Sequence, residues 1–420
     1  MPRPVACLSL LLVVLGAYGL KADWPQFRGP AGTPVANQPD IPVQWSAGQN
    51  VVWKAALPGP GSSSPICVAN RVFITCYSGY ATDPDDPGDL KNLKRHLLCL
   101  DASDGRIVWQ KSIPAALPEQ PFEGFVTLHG YASSTPASDG QAVYVFFGRS
   151  GVYAFSLDGD VLWQAEVGTA THPWGSAASP ILWNDRVVVN ASVESHSLVA
   201  LDKKTGKRLW QAFDIRDSWS TPALVEAAGR TELVVSSRGK VLAFDPASGE
   251  LLWQCSAVQD YVCPAVVAGD GVVYVTGGRK PQTLAIRAGG RGDVTKTHIL
   301  WEAGETPKVA TPLLFEGHLY WVNQRGVATC LDARTGKSVY KERLSLRRRG
   351  DRVYASPVAA GGAILVPSRE DGIIVLALEP RFQELARTRL DDPSTVNATP
   401  AICGNRLLVR SDRFLYCIGK

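Results

Sequence analysis

Residues 202–211 read Asp-Lys-Lys-Thr-Gly-Lys-Arg-Leu-Trp-Gln. Near-copies stand at 101–110 (Asp-Ala-Ser-Asp-Gly-Arg-Ile-Val-Trp-Gln), 245–254 (Asp-Pro-Ala-Ser-Gly-Glu-Leu-Leu-Trp-Gln) and 332–341 (Asp-Ala-Arg-Thr-Gly-Lys-Ser-Val-Tyr-Lys). The first half of each copy is a turn, with an aspartate able to accept the turn's amide hydrogens and a glycine free to take positive φ. The second half is a short apolar run ending in an aromatic residue, which suits a half-buried strand. The copies are one repeating unit.

Outward from these hairpins, each unit opens on a Ser/Thr/Ala/Cys-Pro step at Pro65, Pro136, Pro180, Pro222, Pro264, Pro312, Pro357 or Pro400. The prolines are 42 to 48 residues apart except for the first interval of 71, which contains insertions near 77–96 and 114–131. Between them lie runs such as Val143 to Phe147 and Val272 to Thr276, and turn formers such as Asn184-Asp185 and Asp270-Gly271. A period of this length, with four strands in each copy, marks a β-propeller blade. Fourth strands centre on Trp109, Trp163, Trp210, Trp253, Trp301 and Tyr340, while a seventh, around Leu385, lacks the aromatic. The eighth, around Trp53, precedes the first proline, and the C-terminus stops after three strands. The expected fold is therefore all-β: an eight-bladed β-propeller over 51–420, closed by an N-terminal strand that completes the last blade and leaves no free edge.

The chain has 420 residues, and its 43 basic and 39 acidic side chains give no global field for nucleic acid. Met-Pro-Arg, an apolar run from Val5 to Leu20 and the small Ala22 read as a signal peptide over 1–22, too short in its apolar part to span a bilayer. Cys7 lies too early in that run for a lipoprotein cleavage site. The expected location is exported, periplasmic or cell-envelope associated, with residues 23–50 as an N-terminal strap. Eight cysteines follow the leader. Cys99, Cys330 and Cys417 fill a slot where other units carry Ala200 and Ala243, and Cys67 and Cys403 sit in first strands, so all five read as small core residues rather than disulfide partners.

The Asp-x-x-Thr/Ser-Gly-x-x-x-Trp units, the Ser/Thr-Pro step and the eight-fold count resemble the PQQ-like repeat family over about 51–420. That family includes quinoprotein alcohol dehydrogenases and the non-catalytic BamB lipoprotein of outer-membrane assembly. The dehydrogenases hold PQQ and calcium in the axial funnel with a vicinal cysteine disulfide, and this chain has no adjacent cysteine pair. The resemblance therefore implies a cofactor-free scaffold with a protein partner in the cell envelope. PQQ and calcium belong to the alternative reading, an alcohol or sugar dehydrogenase.

Other chemistry lacks its residues. His96, His129, His172, His196, His298 and His318 show no paired metal spacing and read as surface or loop histidines. Asp83, Asp85, Asp86 and Asp89 imitate a calcium loop, but Pro87 and Lys94 occupy ligand positions. Asn190 and Asn397 are in glycosylation sequons.

One pattern exceeds the needs of a scaffold. At the turn between second and third strands, six units carry Arg149, Arg238, Arg279, Arg325, Arg369 and Arg413. The loops entering the blades on the same face carry His129, Tyr131, His172, Trp174, Trp219, Tyr261 and Tyr354. Arginines among aromatics compose a binding surface. The competing reading is that the arginines bond turn carbonyls and neighbouring blades while the aromatics wedge the channel mouth. Of twelve tryptophans, six are inter-blade wedges, Trp183 and Trp321 belong to the core, Trp24 and Trp45 to the strap, and only Trp174 and Trp219 are left for function. The expectation is a monomeric, non-catalytic propeller that docks a protein or an anionic envelope ligand on this face. A glycan stacked on Trp174 and Trp219 is a weaker alternative.

Overall fold

The computed structural model describes residues 24–36, 41–46, 48–83, 85–347 and 353–420. The expected signal peptide, with Cys7, lies outside them. Eight antiparallel sheets follow one another around a ring, with almost no helix among the described residues. Blade 1 comprises Ile66–Val68, Arg71–Ser78, Lys94–Asp101 and Ile107–Pro114. Blades 2 to 7 span 137–165, 181–213, 223–256, 267–303, 313–343 and 358–388. Blade 8 takes three strands from 401–418, and its outermost strand is Val51–Ala56, paired antiparallel to Phe414–Ile418. The N-terminal strand closes the ring.

The repeated turn and tryptophan prove to be one device. The Trp210 indole of blade 3 donates from Nε1 to the Pro246 carbonyl in the blade 4 turn at 3.1 Å, and a Cβ on Gly249 would stand 2.7 Å from its ring. Trp53 meets Ala102 and Gly105, Trp163 meets Lys203 and Gly206, and Trp301 meets Ala333 and Gly336 in the same way. The turn glycines are needed twice, for a φ near +70° and for a bare surface on which the indole lies. Trp253 departs from the pattern because blade 5 carries an insertion at 288–298. Its Nε1 donates instead to the buried Glu232 at 2.7 Å, and Gly292–Asp293 adds a short fifth strand beside it.

Hydroxyls tie the inner strands together. The Ser64 amide donates to Thr135 Oγ1, Thr135 to Ser179 Oγ, and Ser179 to Thr221 Oγ1. Ala265, Thr311 and Ser356 continue the series to Thr311, Ser356 and Thr399. Six of the Ser/Thr-Pro steps thus satisfy the backbone of the preceding blade, which explains why those residue types recur.

Two expectations are corrected. Cys67 and Cys403 form a disulfide, Cα to Cα 5.5 Å, linking the inner strands of blades 1 and 8. They are 336 residues apart, and only ring closure makes them neighbours. Trp183 is half-buried beneath the Arg186 guanidinium rather than in the core, whereas Trp321 is buried. The strap crosses the ring on the face of the Asp-to-Gly turns. Trp24 pairs with Cys67 of blade 1, Pro25 accepts from Ser138 of blade 2, and Pro34 and Ala36 pair with Ala359 of blade 7. Between them, buried Arg28 donates to the carbonyls of Thr311 and Pro312 at 3.0 and 2.6 Å.

Candidate functional site

An axial cavity of about 200 Å³ runs up the middle of the ring. Its wall is the girdle of Ser64, Thr135, Ser179, Thr221, Thr311, Ser356 and Thr399, and Phe27 of the strap lines it as well. Its other end opens on the face formed by the entering loops and second-to-third-strand turns, where Phe125, Trp174, Trp219, Tyr261 and Tyr354 make an aromatic rim.

Trp174 is the hub of that rim. Its ring centroid lies 4.8 Å from Trp219, 4.6 Å from Tyr261 and 4.8 Å from Phe125, and His172 sits edge-on to both tryptophans. Trp219 is fixed by an Nε1 bond of 2.7 Å to the Gly175 carbonyl. His129 Nε2 donates to the Trp174 carbonyl at 2.7 Å, which leaves Nδ1 to accept from Ser133 at 2.6 Å. Burial lowers the pKa of His129, favouring the neutral tautomer these bonds require.

The loop carrying Trp174 is held by a buried acid. Ser176 donates its hydroxyl to Glu194 Oε1, and the Ala170 amide bonds the Glu194 carbonyl oxygen. Burial pushes the Glu194 carboxyl up to about 7. Nearby, the buried Arg95 guanidinium pairs with Glu119 and donates to Ser150 and to the Tyr131 carbonyl.

The six arginines divide. Arg149 donates to the carbonyls of Thr169 and Leu117, so it bonds turn carbonyls of neighbouring loops. Arg238 pairs with Asp217 at 2.5 Å, and Arg279 stands over Tyr261 with Asp260 at 4.0 Å. Arg325 is exposed. Arg369 lies 5.3 Å over the Tyr354 ring and Arg413 5.7 Å over Phe414. These last two line a second cleft, of about 630 Å³, beside the axial cavity, together with Pro58 to Gly61, Tyr77, Thr395 and Asp412. Burial pushes the Asp412 carboxyl up to about 6.

Some expected rim residues lie elsewhere. Tyr131 is buried among Tyr77, Tyr80 and Phe122, where the two insertions of the first repeat interval pack together. His96 is buried in blade 1 between Ser78 and Ser112, not a loop histidine. Asn190 is buried and donates to Ser218 and Ser220, so its sequon is inaccessible. The carboxylates of Asp83, Asp86 and Asp89 cap their own turns. Phe125, Arg410 and Asp412 on this face match no residue type recurring in the other units, and Asn397 fills the position, three residues before the proline, where other units carry Trp219, Tyr261 and Tyr354.

A family model described as outer membrane protein assembly factor BamB matches residues 35–192 and 194–314. The outer membrane protein assembly factor BamB of Burkholderia pseudomallei (strain K96243) is 24% identical over 425 residues, covering 88% of this chain and 96% of that protein. Tetrathionate hydrolase of Acidithiobacillus ferrooxidans is 28% identical over 269 residues, covering 54% of this chain, so the chain spans about half (51%) of the hydrolase's length. A europium-containing methanol dehydrogenase superposes with a TM-score of 0.63 at 12% identity, covering 95% of this chain and 98% of that one, which shows a shared fold.

The quinoprotein alternative can be tested against the cavity's donor set. PQQ is a tricarboxylate, and no lysine or arginine is among the described residues that line the axial cavity. Nor is there an aspartate or glutamate to bind calcium. Among the described residues no group of three His, Cys, Asp or Glu side chains is placed to hold a metal ion. The residues present do not fit that pair of groups.

Proposed function

The chain belongs to the outer membrane protein assembly factor BamB family, and on that premise we propose that it is an exported, non-catalytic propeller of the cell envelope. It docks a protein partner on the aromatic-arginine face. The observation that carries this reading is the Trp174 cluster. Four aromatic side chains stack at one mouth of the ring, with Phe125 49% exposed at its edge. Exposed apolar clusters rimmed by cations are typical of protein contact sites, in which aromatic and arginine anchors supply most of the binding energy.

The arginines support this as a divided set. Arg149 is structural and Arg279 stands beside Asp260, whereas Arg325 and Arg413 are exposed and placed to orient an acidic partner. The test is photo-crosslinking in the native envelope, with a benzoylphenylalanine in place of Phe125 or of Phe213. Phe213 is 66% exposed on the outer strand of blade 3. Specific capture of a protein through position 125 and not 213 is the expected result. Capture through 213 alone would place the interface on the perimeter and overturn the reading.

A further inference from the structure

The axial cavity and the arginine cleft are joined. Leu128, His129 and Asn397 line both, so a ligand bound over that shared wall would reach into each. The two compartments differ in chemistry. The axial cavity is walled by hydroxyls and aromatic rings, is mainly apolar, and has room for one large side chain. The cleft carries Arg369 and Arg413, neither of which makes a close ion pair among the described residues, in contrast to Arg238 with Asp217, although Arg369 acts at longer range on Asp412. A third guanidinium lies beneath its floor, with Nη1 committed to Ser63 and to the Thr75 carbonyl. Arg410 is 1% exposed, and its Nη2 would be 2.6 Å from a Cβ on Gly61, a cleft residue. Against these three cations the cleft's own lining offers one carboxyl, Asp412.

The wall between them contains an unsatisfied acceptor. Asn397 donates from Nδ2 to the Leu128 carbonyl at 2.8 Å, which fixes the amide, while its Oδ1 is buried without a partner among the described residues. Such an atom is destabilising unless a donor arrives, and the backbone N–H of an extended segment is a donor of the right kind.

We propose that the joined cavities take one extended peptide segment of the partner. An aromatic or large aliphatic side chain enters the axial cavity, the adjacent backbone N–H bonds Asn397 Oδ1, and a neighbouring carboxylate side chain lies on Arg369 and Arg413. This rests on the docking reading above and specifies its ligand: an acidic peptide carrying an apolar anchor. Charge selects this occupant over a glycan, because a neutral sugar has no carboxylate to place on Arg369 and Arg413, the two guanidinium groups that line the cleft.

The probe is a fluorescein-labelled peptide, Gly-Ser-Phe-Asp-Ser-Gly, titrated against the full chain by fluorescence anisotropy. Controls replace Phe by Ala or Asp by Asn. The expected result is saturable binding of the Phe-Asp peptide and about tenfold weaker binding of each control, the loss of one charged bond or one buried ring. The Arg369→Gln/Arg413→Gln variant should bind the Phe-Asp and Phe-Asn peptides equally. If that variant melts below the wild type, Arg413→Gln alone, at an exposed position, carries the same comparison. No saturation at millimolar peptide overturns the proposal, as does equal binding of Phe-Asp and Phe-Asn peptides by the wild type or preferential saturation by a neutral oligosaccharide. Partner capture through position 125 combined with any of these outcomes would leave the docking face standing and remove only the peptide assignment.

Discussion

The Trp210 indole rests on Gly249 of the next blade, close enough that a methyl group on that glycine would be 2.7 Å from the ring. The interface between blades 3 and 4 therefore depends on a missing side chain as much as on a present one. Gly249→Ala should destabilise the protein by about 1–3 kcal/mol, through overpacking and through φ of +75° at a residue with a Cβ. Gly229→Ala, at a positive-φ turn with nothing within 4 Å, is the control that isolates backbone strain. Chemical denaturation of both variants measures the difference, and equal losses would show that the indole contact contributes nothing.

The Cys67–Cys403 disulfide spans the seam where the ring closes. Replacing both cysteines by alanine should cost about 2–5 kcal/mol, because the bond constrains a very long loop in the unfolded chain. Thermal melts with and without reductant provide the check: the wild type should lose stability on reduction and the double variant should not respond.

Glu194 gives a pH signature. Its carboxyl is raised by burial from 4.5 to about 7 in the folded protein, so between those values the folded state keeps a proton that the unfolded chain has released. Stability supplied by that proton is complete below pH 4.5, drains as pH rises toward 7, and is flat above. Glu194→Gln keeps an acceptor for Ser176 and removes the titration. Its unfolding free energy relative to wild type should therefore rise between pH 5 and pH 8, and a pH-independent difference would refute the assignment.

Arg28 pins the strap under the axial cavity. Arg28→Ala leaves the Thr311 and Pro312 carbonyls without their donor and should cost about 2–4 kcal/mol. Limited proteolysis should then cut within 24–36 at protease levels that spare the wild type.

The ring was legible in the sequence because its contacts are written repeatedly at a fixed period. Asp, Gly and Trp recur where the hairpin turn, the bare patch and the wedge recur, and Ser/Thr before proline recurs where the hydroxyl girdle needs it. What escaped was written once. Cys67 and Cys403 look like two isolated small residues until the ends of the chain meet. The arginine period was visible, but its division was not, since Arg149 is claimed by carbonyls at Thr169 and at Leu117, the latter in an insertion that other blades lack. Tyr131 followed the aromatic pattern and was lost to the packing of two insertions. Asn397, Arg410 and Asp412 acquire meaning only from the strands and turns that surround them.

The strand Val51–Ala56 is among the first parts of the propeller to be synthesised, yet its partner Phe414–Ile418 is among the last. A growing chain must keep that segment unclaimed while seven blades form, and can join it only once residues 414–418 have been made. Long-range pairing of this kind is slow. A chain cut short anywhere before residue 414 would expose an orphan strand at one end and an unfinished sheet at the other, so this architecture distinguishes a closed ring from an open one before either meets a partner.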